Sequence, residues 1–302
     1  MKTLLLSVII PAHGREELLI RCLVSLDREY RGRFRTYPYL EVCVVDDGSL
    51  LDEQGVRKRV SAHYPLIWRA FASPRGRSAA RNEGIRSTSG DIVVFLDSDM
   101  ETSNGFINAH ITYHREHART AVIGHIKWPK GRSFLRYIGS RGVGKHRPDN
   151  AVPPWYFVTG NASIERCNLP SGSPFDETLS GWGGEDLDLG MRLHAAGVKF
   201  MYAPEAVSIH HFTGDLAGHV HRTTLYGRYA LPVLVKRHPE LVHILRLDLM
   251  NSRLCRMAVH RFFSLPVFWA AQGLDPFPLP FFLFDYLTYA SYARGWLKGK
   301  QS

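Results

Sequence analysis

Asp91-Ile92-Val93-Val94-Phe95-Leu96-Asp97-Ser98-Asp99 holds five large apolar residues in a row and then stops on two acids. A run with no polar side reads as a strand buried on both faces, as in a parallel sheet covered by helices. Leu40-Glu41-Val42-Cys43-Val44-Val45, ending on Asp46-Asp47-Gly48-Ser49, repeats the pattern, and Leu4 to Ile10, ending at Pro11, gives it a third time. Between the first two runs, Leu18, Leu19, Cys22, Leu23 and Leu26 recur at helical steps. Leu66-Ile67-Trp68 reads as a further strand, and Pro74 to Ile85 as a loop feeding a helix that Ser87 to Gly90 stops. Strands alternating with helices predict an α/β fold with an open, mostly parallel, doubly wound sheet and helices on both faces. Such sheets bind ligands beyond the carboxyl ends of their strands, where Pro11, Asp47 and Asp99 all lie.

Beyond Glu101 the pattern weakens. Val122 to Ile126 reads as a strand, Lys130 to Asp149 as a basic, glycine-bearing mobile loop, and Thr159 to Ile164 as another strand. Gly181-Trp182-Gly183-Gly184-Glu185-Asp186-Leu187-Asp188 then sets three carboxylates on the first turn of a helix that Gly197 ends. The helix dipole favours negative charge there. Val198 to Pro204 and Ala206 to His211 read as two short strands, the second closing on two histidines. From Thr213 the chain turns basic and helical, and from Phe262 aromatic and proline-rich. Prolines 266, 276, 278 and 280 cut the apolar runs short of the roughly 20 residues that span a bilayer. This region reads either as a helical layer packing on the main domain or a second subunit, or as a peripheral membrane contact. The expected organisation is a catalytic domain over 1–212, divided at about residue 100, and an extension over 213–302.

With 302 residues and 45% hydrophobic content, the chain has material for a large core, which excludes a disordered protein. The net charge of +10 implies an anionic partner. Zinc-finger spacing and RNA-binding aromatic motifs are missing, so nucleic acid is not the expected partner. Four scattered cysteines without metal-ligand spacing suit free thiols in a reducing compartment. The N-terminal apolar run is too short for a signal peptide and lacks a cleavage site, so the expected location is cytoplasmic, or peripheral to the inner membrane face.

Asp97-Ser98-Asp99 offers oxygen ligands and His210 or His211 an imidazole, a set that with phosphate oxygens suits Mg²⁺ or Mn²⁺. A metal bridging a diphosphate neutralises the charge that grows on it as it leaves. Arg77 and Arg81 place positive charge nearby in sequence.

These segments together resemble family 2 glycosyltransferases of the GT-A fold. Ser7 to Pro11, Val44 to Ser49, Gly76 to Asn82 and Phe95 to Asp99 are similar to the nucleotide-binding half. Gly160 to Ser163, Phe175 to Glu177 and Gly181 to Asp188 resemble the acceptor half, in the version shared with β1,4-galactosyltransferases and chondroitin-type polymerases. The resemblance covers residues 4 to 212. It implies an inverting transfer from a UDP-sugar of the galactose, GlcNAc or GalNAc type, with the acceptor a glycan, a lipid-linked sugar or a small carrier-bound aglycone. Asp47 and the Pro11-Ala12 backbone would hold uracil or ribose, Arg77 the diphosphate, Asp97 the ribose, and Asp99 with His210 or His211 the metal. Asp186 would be the general base, Glu185 would position the acceptor, and Trp182 would stack on a ring. The alternative is a catalytically silent module that binds sugar nucleotide or glycan.

Overall fold

The computed structural model describes residues 4–32, 40–147, 151–179, 183–211 and 214–300. The chain divides into two compact units. The first comprises Met1–Trp128, Arg141–Ser180 and Glu185–Phe212. Its strands are β1 (Leu6–Ala12), β2 (Leu40–Asp46), β3 (Leu66–Ala70), β4 (Ile92–Leu96), β5 (Met100–Thr102), β6 (Thr120–Lys127), β7 (Asn161–Glu165) and β8 (Lys199–His210). Among the described residues they form one sheet in the order β3-β2-β1-β4-β7-β6-β8-β5. β1, β2, β3 and β4 run parallel, β7 is antiparallel to β4 and β6, and β8 is parallel to β6 and antiparallel to β5. The sheet is therefore parallel in its first half and mixed in its second.

The helices in chain order are α1 (Glu16–Gly32), α2 (Glu53–Val60), α3 (Arg77–Arg86), α4 (Phe106–Glu116), then α5 (Ser133–Ser140) of the second unit, and α6 (Glu185–Ala195). The continuous apolar strands are explained by what covers them. In β1, Leu6, Val8 and Ile10 pack with Leu19, Leu23 and Leu26 of α1, Val56 of α2 and Ile111 of α4. Ile9, facing the other way, packs with Ile85 of α3 and Leu189 and Leu193 of α6. In β4, Val94 joins the first cluster and Val93 and Phe95 the second. Both faces are dry, as the runs require.

Three expectations change. The region after Glu101 contains α4, whose inner side includes buried His110 and His114, so its helical period does not stand out as apolar. The stretch read as a basic loop contains α5. The two short strands are one, β8; Gly124 pairs with Ala203 and His125 with Val207, so Pro204 falls in an irregularity where a missing N–H costs no ladder bond.

His110 and His114 share one partner beneath the sheet. His110 Nδ1 and His114 Nε2 each lie 2.8 Å from the Ser163 hydroxyl, and His110 Nε2 lies 3.1 Å from Asn161 Oδ1. Burial lowers both imidazoles, His110 to about 4 and His114 to about 3. Both are neutral in the folded chain, while an unfolded histidine takes a proton near pH 6.5. The stability they contribute is whole above that value and is lost as pH falls towards about 4. The denaturant midpoint should therefore fall between neutral and mildly acidic pH, and His114→Phe should flatten that slope; an equal slope in the variant would remove the histidine pair as its source.

The second unit comprises Pro129–Ser140, Gly181–Gly184 and Thr213–Ser302. It contains α5, α7 (Leu216–Leu225), α8 (Leu231–Arg237), α9 (Leu241–Ile244), α10 (Arg253–Ala258), α11 (Arg261–Gly273) and α12 (Phe281–Gly299). Leu231, Leu247, Met250, Val259, Ala290, Ala293 and Trp296 form its core. Asp275 ties α5 down: its backbone carbonyl accepts from Ser133 N at 2.9 Å and its carboxylate from Phe134 N at 2.7 Å. No helix among the described residues is long and apolar enough to cross a membrane.

Candidate active site

The site lies beyond the carboxyl ends of β1, β2 and β4. At the end of β2, Asp46 accepts from the amides of Ser49 and Leu51 at 2.9 Å each, and so closes the turn after the strand. Gly48 within that turn has φ +67, and a Cβ there would lie 2.3 Å from the carbonyl carbon of Ser73; only glycine fits. The Asp47 amide donates to Ala12 O at 2.8 Å, which joins β2 to the end of β1, where Pro11 and Ala12 are both buried. The Asp47 carboxylate accepts from Arg75 N at 2.6 Å and Gly76 N at 2.9 Å. Asp47 thereby sets the loop that opens α3.

At the end of β4, Asp97, Ser98 and Asp99 occupy a turn before β5. The pairing of Met100 with His210 brings the end of β8 beside that turn, and His211 N donates to Asp99 O at 2.9 Å. His210 Nε2 lies 3.2 Å from Asp99 Oδ2, and the His210 ring meets Trp128 edge to face at 4.5 Å between centroids. His211 turns elsewhere: its Nε2 lies 2.9 Å from Glu101 Oε2. The two candidate imidazoles are thus distinguished, and His210 is the one beside Asp99. Burial opposes ionisation of Asp99, but His210 and then Arg15, 3.6 Å away, outweigh it and hold the carboxyl below the ordinary value.

The centre of the site is Arg81, which the sequence marked only as nearby positive charge. Ser78, Ala79 and Ala80 are small and buried, so α3 lies close to the sheet and its Arg81 side chain is 1% exposed. The guanidinium lies over the Phe175 ring at 5.6 Å. Its Nη1 is 3.1 Å from Glu185 Oε1 and 3.6 Å from Asp186 Oδ1, and its Nη2 is 3.1 Å from Asp97 Oδ1. Burial works against its charge, but Asp186, Asp97 and Glu185 outweigh that and raise its affinity for the proton further. One fixed cation therefore joins the end of β4 to the start of α6.

Gly183 and Gly184 enter α6 with φ of 90° and 101°, conformations open to glycine, and the two acids follow at once. Glu185 is almost wholly buried, and its Oε1 also meets Arg77 Nη2 at 3.3 Å, so Arg77 lies at Glu185. Asp186 differs. Its side chain is 23% exposed, and it accepts from Thr159 Oγ1 at 2.6 Å and Thr159 N at 3.1 Å. Burial raises the Asp186 carboxyl above the ordinary value; Arg81 opposes this and the Glu185 charge adds to it. For Glu185 burial acts upward too, but Arg77 and Arg81 outweigh it and hold the carboxyl low. Adjacent acids with proton affinities pushed apart suit one to remain an anion and the other to take a proton. Asp188 is buried and bonded to Arg192 Nε at 2.8 Å, one helical turn on. The residue expected to stack on a ring, Trp182, lies outside the described residues.

Thr159, Arg15 and Trp128 complete the site and were not singled out in the sequence. Thr159 alone had a signal, its place directly before Gly160-Asn161.

The model of the family described as "Glycosyl transferase family 2" matches residues 7–166. The chain belongs to glycosyl transferase family 2. This member is 27% identical over 256 residues to an uncharacterized glycosyltransferase, YfnE, of Bacillus subtilis, covering 68% of this chain and 64% of that one. It is 30% identical over 246 residues to the pre-mycofactocin glycosyltransferase of Mycobacterium tuberculosis, covering 78% of this chain and 48% of that one. The family 2 chain thus spans between about half and two thirds of the length of these curated relatives. Among solved structures it resembles a mannosyltransferase from Pyrobaculum calidifontis in complex with GDP-Man and Mn²⁺, with a TM-score of 0.65 and 19% identity over 97% of this chain and 87% of that one. The fold of this family 2 member is GT-A, with a helical C-terminal region.

Proposed function

We propose that this chain is an inverting, divalent-metal-dependent glycosyltransferase that moves a sugar from a UDP-sugar to an acceptor hydroxyl or amine. The observation that carries this reading is the Arg81 cluster, which holds Asp186 partly open beside Asp97 at the end of β4. The Asp186 carboxylate takes the proton of the acceptor nucleophile as that atom attacks the anomeric carbon opposite the leaving diphosphate. A single displacement inverts the configuration. Thr159 fixes the direction of the base, and Glu185, held by Arg77 and Arg81, positions the acceptor.

On the donor side, Asp47 and the Pro11-Ala12 backbone border the base pocket, Asp97 meets the ribose, and Arg77 is the residue offered to the diphosphate. Asp99 and His210 fit a divalent ion: one carboxylate oxygen and one imidazole nitrogen lie 3.2 Å apart. Among the described residues no group of three such side chains gathers, so Asp99 and His210 would hold the ion together with oxygens that the donor and solvent would supply. The nitrogen ligand suits Mn²⁺ better than Mg²⁺. When bound, the ion supplies charge neutralisation for the departing diphosphate. The metal in the mannosyltransferase complex supports this reading, while its GDP-mannose makes the nucleotide base a matter for a screen. The acceptor class is a glycan, a lipid-linked sugar or a carrier-bound aglycone, with Trp182 as its ring platform, in a cytoplasmic setting where sugar nucleotides are made.

The test is nucleoside diphosphate release from UDP- and GDP-sugars with and without Mn²⁺, across acceptors of these three classes. Release should need the metal and be fastest with a UDP-sugar. Asp99→Ala should abolish the response to metal; an unchanged metal titration would remove Asp99 from the ligand set. Tight UDP binding with no turnover for any pair would favour a silent sugar-nucleotide module.

A further inference from the structure

We propose that the face formed by α10 and α11 is a docking surface for an anionic lipid membrane. A helix on a water-facing surface turns its large apolar residues inward. α11 does the opposite: its buried residues are the small Ser264 and Ala271, while Phe262, Pro266 and Trp269, spaced as one helical stripe, are exposed. Phe262 is 75% exposed and Trp269 66%. On α10, Leu254 and Met257 are exposed in the same manner. Met257, Phe262 and Phe263 border an open groove of about 520 Å³, with Arg256 and His260 on its walls. Contiguous apolar surface of this kind marks a place where something else is buried.

The charge pattern selects the occupant. From Leu249 to Leu274 there is no Asp or Glu, whereas Arg253, Arg256 and Arg261 are all exposed among the apolar residues. Aromatic residues interleaved with cations compose a helix that lies in the plane of a membrane interface. A second copy of this face would bring three arginines against three, with no acid between them, so self-association across it is opposed. Pro266 and the short length of α10 suit a surface contact, and no described helix can span the bilayer.

The test is sedimentation of the full chain with vesicles of phosphatidylcholine alone or mixed equally with phosphatidylglycerol. No sugar nucleotide, metal or acceptor is present, so the outcome is independent of the transferase reading. The chain should pellet with the mixed vesicles, weakly with phosphatidylcholine alone, and less as salt rises. Phe262→Ser, Phe263→Ser and Trp269→Ser should each weaken binding by roughly tenfold. Arg253→Gln with Arg256→Gln and Arg261→Gln should remove the preference for phosphatidylglycerol. All six side chains are exposed, and circular dichroism of each variant confirms that it is folded. In the unaltered chain, brominated lipid should quench tryptophan fluorescence. The proposal is overturned if the chain pellets with neither vesicle, if it pellets equally with both and the serine variants do too, or if those variants instead dissociate a dimer that ignores vesicles.

Discussion

Asp186→Asn should lower the rate of transfer by about 10³ while leaving UDP binding nearly unchanged, the loss expected when a positioned general base is removed. The amide can still accept from Thr159, so the start of α6 keeps its place and the effect falls on proton transfer. Because burial raises the Asp186 carboxyl, the unaltered chain should lose kcat/KM on acidification at a pH above that of an ordinary aspartate. Below that pH the carboxyl is protonated and cannot act as a base. Initial rates across pH, beside calorimetric titration with UDP, read both quantities. Turnover retained by the Asn variant would place the base elsewhere.

Arg81→Met should strongly destabilise the first unit. It leaves Asp97, Glu185 and Asp186 without their shared cation, and breaking a buried ion pair from one side costs about 3–5 kcal/mol. That corresponds to a fall in melting temperature of about 10 °C for a unit of this size. If unmatched charge is the cause, adding Glu185→Gln to Arg81→Met should restore part of the loss. A double variant as unstable as the sum of the singles would instead point to the packing of Arg81 on Phe175.

Much of this was legible in the chain, for a physical reason. Strands buried on both faces are apolar throughout, so β1, β2 and β4 stand out, and the acids at their ends mark where the sheet stops being dry. The same logic hides α4, because His110 and His114 are buried as neutral rings among apolar neighbours and read as polar. It hides the continuity of β8 as well, since Pro204 normally ends a strand and here falls at a break in the register. Arg81 is hidden for another reason. Its side chain meets Glu185, 104 positions away, and nothing local separates a buried arginine from the solvated Arg75 or Arg77 beside it. The pair His210 and His211 shows what strand pairing adds to composition: Met100 opposite His210 brings the end of β8 to the turn after β4, where His210 meets Asp99 and His211 meets Glu101.

The guanidinium of Arg81 lies 3.1 Å from Asp97 and 3.6 Å from Asp186, so on the proposed reading it would couple the two substrates. A donor that engaged Asp97 would shift the cation's share of attraction towards Asp186 and so lower that carboxylate's affinity for a proton. Thermodynamic linkage then requires the converse, so an acceptor seated at Asp186 must alter the affinity for donor by the same factor. Coupling through one shared buried charge would thus be felt equally in either order of arrival, each substrate changing the hold on the other to the same degree.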